Sequence, residues 1–109
     1  MAVVPAMTNL HNFYRAQDLT GPIDDRIMKL LRLSPRMIDY IEQADRNLGG
    51  RYVVGTNFRW SWTREACEAR TIVEWHARFG WVLSSFGERV RQRLIDDGRI
   101  VANFWETQR

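Results

Sequence analysis

The chain has 109 residues, 45% of them hydrophobic and 13 of them aromatic, which is ample for one packed domain and excludes a disordered chain. Its formal charge is +3, and 15 of its 16 basic residues are arginine; this balance admits an acidic or phosphate-bearing partner without requiring one. Cys67 stands alone, which excludes an intramolecular disulfide, and no run approaches the ~18 uninterrupted apolar residues of a membrane span.

Residues 1–21 read as an irregular lead-in. The first seven are apolar but lack the basic start and the length of a secretion signal, which with the lone cysteine points to a reducing, cytoplasmic setting. A short helix is expected over 9–18, with Leu10, Phe13 and Tyr14 on one side. Thr20-Gly21-Pro22 ends it and opens the next element.

Residues 22–48 predict two short helices. In the first, Ile23, Ile27, Leu30 and Leu31 form a stripe and Asp24 and Asp25 suit its start, although 26–33 also reads as a strand. In the second, Ser34 caps, Pro35 takes the first helical position, and Met37, Ile38, Ile41, Ala44 and Leu48 form the stripe. Gly49-Gly50 ends it.

Residues 51–62 change period. Tyr52-Val53-Val54 is a short β-branched run, Gly55-Thr56-Asn57 has turn chemistry, and Phe58, Trp60 and Trp62 alternate with Arg59 and Ser61. The pattern predicts a β-hairpin with three aromatics on one face.

From 63 to 98 the spacing of Ala66, Ala69, Val73, His76, Leu83, Val90 and Leu94 alternates four and three, which predicts a helix with a broad apolar face. Gly80 and Gly87 lie inside it. Either the run breaks near Gly80 into two helices, or one long helix uses both glycines for close backbone approach, which would also suit self-association as a homodimer. The tail from Arg99 adds a strand or packs Ile100, Val101, Phe104 and Trp105 on the core. The expected fold is thus a single mainly α (α+β) domain over 1–109: a small helical body with a β-hairpin at about 51–62 packed on a long or broken helix 63–98.

Residues 32–50, running from Arg32 through Ser34-Pro35 to Gly49-Gly50, resemble the strand end and first helix of ribbon-helix-helix DNA-binding proteins. The resemblance implies an obligate dimer whose paired strands present Met28, Leu30 and Arg32 to DNA. Only Arg32 has the polar, basic character of that family's reading positions. Lys29 would point inward, and a dozen aromatic-rich residues stand where the second helix should follow.

Catalytic chemistry finds little to work with. Cys67 and His76 are the only nucleophile-and-base pair, and on one helix they would lie about 13 Å apart along the axis. No third group orients the histidine, no spacing suits a metal, and no glycine pattern matches a phosphate or dinucleotide loop. The expectation is a non-enzymatic protein with no cofactor and no metal.

The most informative local feature is the interleaving of aromatic and basic residues at Arg51, Tyr52, Phe58, Arg59, Trp60 and Arg64, the candidate binding set. It suits a tryptophan–arginine hot spot on a protein or a stacking platform for nucleic acid. It equally suits tryptophans that cover the helical face beneath solvated arginines, and GC-rich codon usage would produce the same arginine bias. The sequence therefore points first to a small interaction protein, an inhibitor or adaptor docking on a larger protein or nucleoprotein machine. Its composition resembles small accessory proteins of phages and mobile elements. The second reading is a nucleic-acid-binding regulator acting through the hairpin or a ribbon-like dimer.

Overall fold

A computed structural model describes residues 22–102. They form four helices and one four-stranded antiparallel sheet, in the order α1 (Asp25–Leu31), α2 (Pro35–Glu42), β1 (Asp45–Arg46), β2 (Tyr52–Val53), α3 (Ser61–Ala69), β3 (Val73–His76), β4 (Gly80–Leu83) and α4 (Ser85–Asp96). The strands lie side by side as β1-β2-β4-β3, which puts β3 on one edge.

The two short helices form where local chemistry asks for them. The Asp24 carboxylate accepts the Ile27 N–H at 2.9 Å and opens α1, and the Ser34 hydroxyl accepts the Met37 N–H at 3.1 Å and opens α2 behind Pro35. Arg32, in the left-handed region at φ 48°, turns the chain between them. Helix, not strand, is therefore the state of 26–31. The strand that the ribbon-helix-helix resemblance requires at 28–32 is absent, because Ile27 and Leu31, four apart, are both buried on one helical face.

The hairpin expected over 51–62 is displaced. Its strands are β1 and β2, pairing Asp45 with Val53 and Arg46 with Tyr52. The glycines read as a helix stop belong to its turn: the Asn47 side chain accepts the Arg51 N–H at 3.0 Å, and Gly50 takes φ 79°. The second helix thus ends at Glu42, six residues short of Leu48. Beyond β2, residues 58–60 wind into a 3-10 turn that runs into α3, so Phe58, Trp60 and Trp62 do not share a strand face.

The long helix expected over 63–98 is not formed, either whole or as two helices meeting near Gly80. The four-three spacing is genuine at both ends, where Thr63 and Cys67 bury one side of α3 and Phe86, Val90 and Leu94 one side of α4. Between them lies the β3–β4 hairpin, pairing Val73 with Leu83 and Trp75 with Trp81. Its β-branched and aromatic residues satisfy a period of two as well as of three and a half, and Gly80 at φ 79° supplies the turn rather than a helix break.

Gly87 has a different use from the helix–helix contact expected of it. A Cβ there would stand 2.0 Å from the Ile72 carbonyl oxygen, so α4 packs directly on the backbone entering β3. The Ser84 hydroxyl seals this junction, accepting the Gly87 N–H at 2.9 Å and donating to the Thr71 carbonyl. The core gathers around Leu31, Ile41, Ile72, Leu83, Phe86 and Leu94, with Ile100 from the tail. Val101 is exposed and no strand follows it among the described residues. The expected helix at 9–18 and the residues Phe104 and Trp105 lie outside the described residues.

Candidate functional site

The backbone from β2 to α3 is shaped by one tryptophan. Trp60 packs on Tyr40 with ring centroids 5.2 Å apart, and the Arg36 guanidinium stacks over its indole at 4.1 Å. Gly55 makes room for it, since a Cβ there would meet the Trp60 ring at 3.0 Å. The seat is braced twice more: the Tyr40 hydroxyl donates to the Gly55 carbonyl at 2.7 Å, and Arg36 Nη2 donates to the Arg59 carbonyl at 2.8 Å. The Asn57 side chain accepts the Arg59 N–H at 3.0 Å and starts the 3-10 turn.

With Trp60 turned in, its neighbours two residues away turn out. Phe58 and Trp62 are each 86% exposed, and Arg59 between them is exposed as well. They stand four residues apart where the 3-10 turn becomes α3. Neither Arg36 nor Arg59 forms a salt bridge among the described residues. Two large rings and two uncompensated guanidiniums are therefore held in water on a braced backbone. Isolated exposed side chains are ordinary; here two large exposed rings, four residues apart, flank one anchored tryptophan.

A second aromatic group lies on the β3–β4 hairpin. Trp75 and Trp81 face each other across the strands in an edge-to-face contact, centroids 5.7 Å apart, and Arg64 of α3 stacks over Trp81 at 4.2 Å. Arg64 is bound in turn to Glu68 at 2.8 Å. On the opposite side of the hairpin, His76 stacks on Phe79 at 4.7 Å, and its Nδ1 accepts the N–H groups of Arg78 and Phe79 at 3.1 and 3.3 Å.

The six residues singled out in the sequence are thus dispersed. Phe58, Arg59 and Trp60 stay together, Trp60 as the anchor and the other two as surface. Arg64 serves the hairpin's tryptophans. Arg51 points inward, donating to the Leu83 carbonyl at 3.2 Å and lying 3.6 Å from Glu74 and 3.9 Å from Glu88. Tyr52 is half-buried beneath the guanidinium of Arg91, itself buried. Arg36 joins the surface although the sequence did not single it out, and Trp62, read there as sharing a strand face with Phe58 and Trp60, joins it on a helical turn instead. The signal for Trp62 was its distance of four from Phe58, which matters only once the segment is helical; nothing in the linear pattern ties Arg36 to Trp60.

Titratable chemistry is muted. Burial pushes the Cys67 thiol up to about 12, and burial likewise raises the Tyr40 phenol. Cys67 lies inside α3 and His76 ends β3 with one ring nitrogen committed to its own turn, so the two occupy separate elements. Burial raises Glu88, and the Arg51 guanidinium beside it works in the opposite direction. Among the described residues no three histidine, cysteine or acidic side chains gather as metal ligands, and no helix is long and apolar enough to cross a membrane.

No family model, curated protein or solved structure matches this chain. Any functional reading therefore rests on the site's own geometry.

Proposed function

We propose that the protein is a small non-enzymatic interaction protein, an inhibitor or adaptor of a cytoplasmic setting, that docks on a larger protein or nucleoprotein assembly through the surface of Phe58, Arg59 and Trp62. The observation that carries this reading is the pair of 86% exposed rings on the seat braced by Trp60. Because the backbone beneath them is fixed, little ordering opposes their burial. Covering a side chain of this size contributes about 1.5–3 kcal/mol. Two such rings at i and i+4 suit an apolar groove on a partner, with Arg36 and Arg59 meeting carboxylates at its rim.

The test is quantitative affinity capture with the unmodified protein and with the Phe58→Ala/Trp62→Ala double variant. The reading expects specific partners to be lost while far-UV circular dichroism stays the same. Capture of the same partners by both proteins would refute it.

A second reading, a nucleic-acid-binding regulator, draws on the same two arginines. Their lack of carboxylate partners leaves them available to phosphates, with bases stacked on Phe58 and Trp62. Anisotropy of a labelled single-stranded oligonucleotide at about 50 and 200 mM salt separates the two readings. Binding that weakens steeply with salt favours phosphate contacts.

A further inference from the structure

The outer edge of β3 has the backbone and side-chain pattern of a strand that pairs with itself. The Trp81 carbonyl accepts the Val54 N–H at 3.1 Å, so the backbone groups of Trp81 point to β2 and away from β3. Trp75 stands opposite Trp81 and is therefore in a non-hydrogen-bonded pair, with its own N–H and C=O pointing away from β4. Val73 is in the same phase, while Ile72, bonded to the Ser84 N–H at 2.9 Å, marks the inward-bonding phase shared by Glu74 and His76. The outer edge thus offers the donors and acceptors of Val73 and Trp75. Proline, lysine and bulges commonly blunt such an edge, and β3, Val-Glu-Trp-His, has neither proline nor lysine. The Trp75 side chain beside it is 64% exposed.

We propose that β3 pairs edge to edge with β3 of a second copy of this chain, antiparallel about a two-fold axis through Trp75, joining the two sheets into one. Side-chain chemistry selects this register. It sets Trp75 opposite Trp75 of the second copy, an aromatic cross-strand pair, and on the other face sets each Glu74 opposite a His76 of the other copy. His76 is prepared for that contact: with Nδ1 accepting two turn N–H groups, the neutral ring carries its proton on Nε2 and donates it to the facing carboxylate. Arg51 lies on the other side of Glu74 at 3.6 Å, so the carboxylate is held between two donors. Moving the axis to Glu74 would place two carboxylates directly opposite, which is unfavourable. Registers of odd offset would oppose outward to inward backbone groups and lose the hydrogen bonds. The contact is short, so the association is concentration-dependent rather than permanent. It uses neither Phe58 nor Trp62, and its failure would leave the docking surface untouched.

The test is sedimentation velocity of the full chain from about 1 μM to about 500 μM, with amide hydrogen exchange measured at both ends. The expected result is a shift from monomer to dimer, with the Trp75 amide protected only at high concentration. Glu74→Arg, which sets a cation opposite His76, raises the dimerisation midpoint up to about tenfold. Trp75→Pro removes the outward N–H without breaking the internal ladder and abolishes the dimer. A protein that is monomeric throughout, or a dimer whose Trp75 amide exchanges freely, would overturn the proposal. If either variant loses its circular dichroism, the exchange pattern of the unmodified protein decides alone.

Discussion

Two clusters in this protein are built from the same parts and reach different ends. In both, an arginine guanidinium lies over a tryptophan ring, Arg36 over Trp60 at 4.1 Å and Arg64 over Trp81 at 4.2 Å. Around Trp60 the backbone winds helically, so the flanking rings of Phe58 and Trp62 are thrown outward into water. Around Trp81 the backbone is a strand, so the ring opposite, Trp75, is brought against it. Anchoring one ring exposes its neighbours in a helical turn and gathers them in a hairpin. The first arrangement suits contact with a partner, while the second braces a wall of the sheet and leaves one ring at the edge.

The comparison breaks most completely at Gly87, on which the hairpin's placement depends. Gly87→Ala forces a Cβ to 2.0 Å from the Ile72 carbonyl oxygen, so α4 and β3 must separate. A loss of about 3 kcal/mol or more is expected, in the range reserved for core overpacking, and is read from the midpoint of urea unfolding. An unchanged midpoint would show that α4 does not sit on β3.

Next in size is the contrast within the first cluster. Trp60→Ala removes the contacts with Tyr40, Arg36 and the Gly55 backbone and should cost about 2–3 kcal/mol, less than the loss of a fully buried tryptophan. Phe58→Ala and Trp62→Ala should each change stability by less than about 0.5 kcal/mol. Equal losses at all three positions would mean that the exposed rings are core after all.

The alkaline limb of stability sharpens the comparison from inside α3, whose start carries the first cluster. The Cys67 thiol is raised from its ordinary 9.0 to about 12, and the Tyr40 phenol is raised from 10.0, both chiefly by burial. A raised value in the folded state means that folding holds the proton. The contribution of Cys67 is therefore complete below pH 9 and declines as the pH rises from 9 toward 12. Cys67→Ala should flatten part of that decline. Native Cys67 should also react with iodoacetamide far more slowly at pH 8 than the unfolded chain does.

Among the rings that make a contact, the smallest expected effect lies in the second cluster. Trp75→Ala removes one edge-to-face contact from a largely exposed ring and should cost about 0.5–1 kcal/mol in chemical denaturation of the monomer. A loss as large as that of Trp60→Ala would erase the distinction between an anchoring ring and an edge ring.

The chain's own chemistry determined the parts whose signals are short-range. Asp24, Ser34 with Pro35, and the four-residue spacing of Ile27 with Leu31 and of Val90 with Leu94 foretold α1, α2 and the apolar face of α4, because caps and helical stripes need only near neighbours. The aromatic and basic richness of 51–64 was plain in composition, but which of its rings face water was not. Tertiary structure decided the rest. Residues 71–83 satisfy helical and strand periods alike, and the choice fell to β2, which pairs with β4 through Val53 and Val82, and to the Ile72 backbone against Gly87. Trp60 could turn inward only because Tyr40 and Arg36, distant in sequence, build its seat together with Gly55; that choice left Phe58 and Trp62 in water. Local energies of a fraction of a kcal/mol per residue propose the elements, and long-range packing worth several times more selects among them.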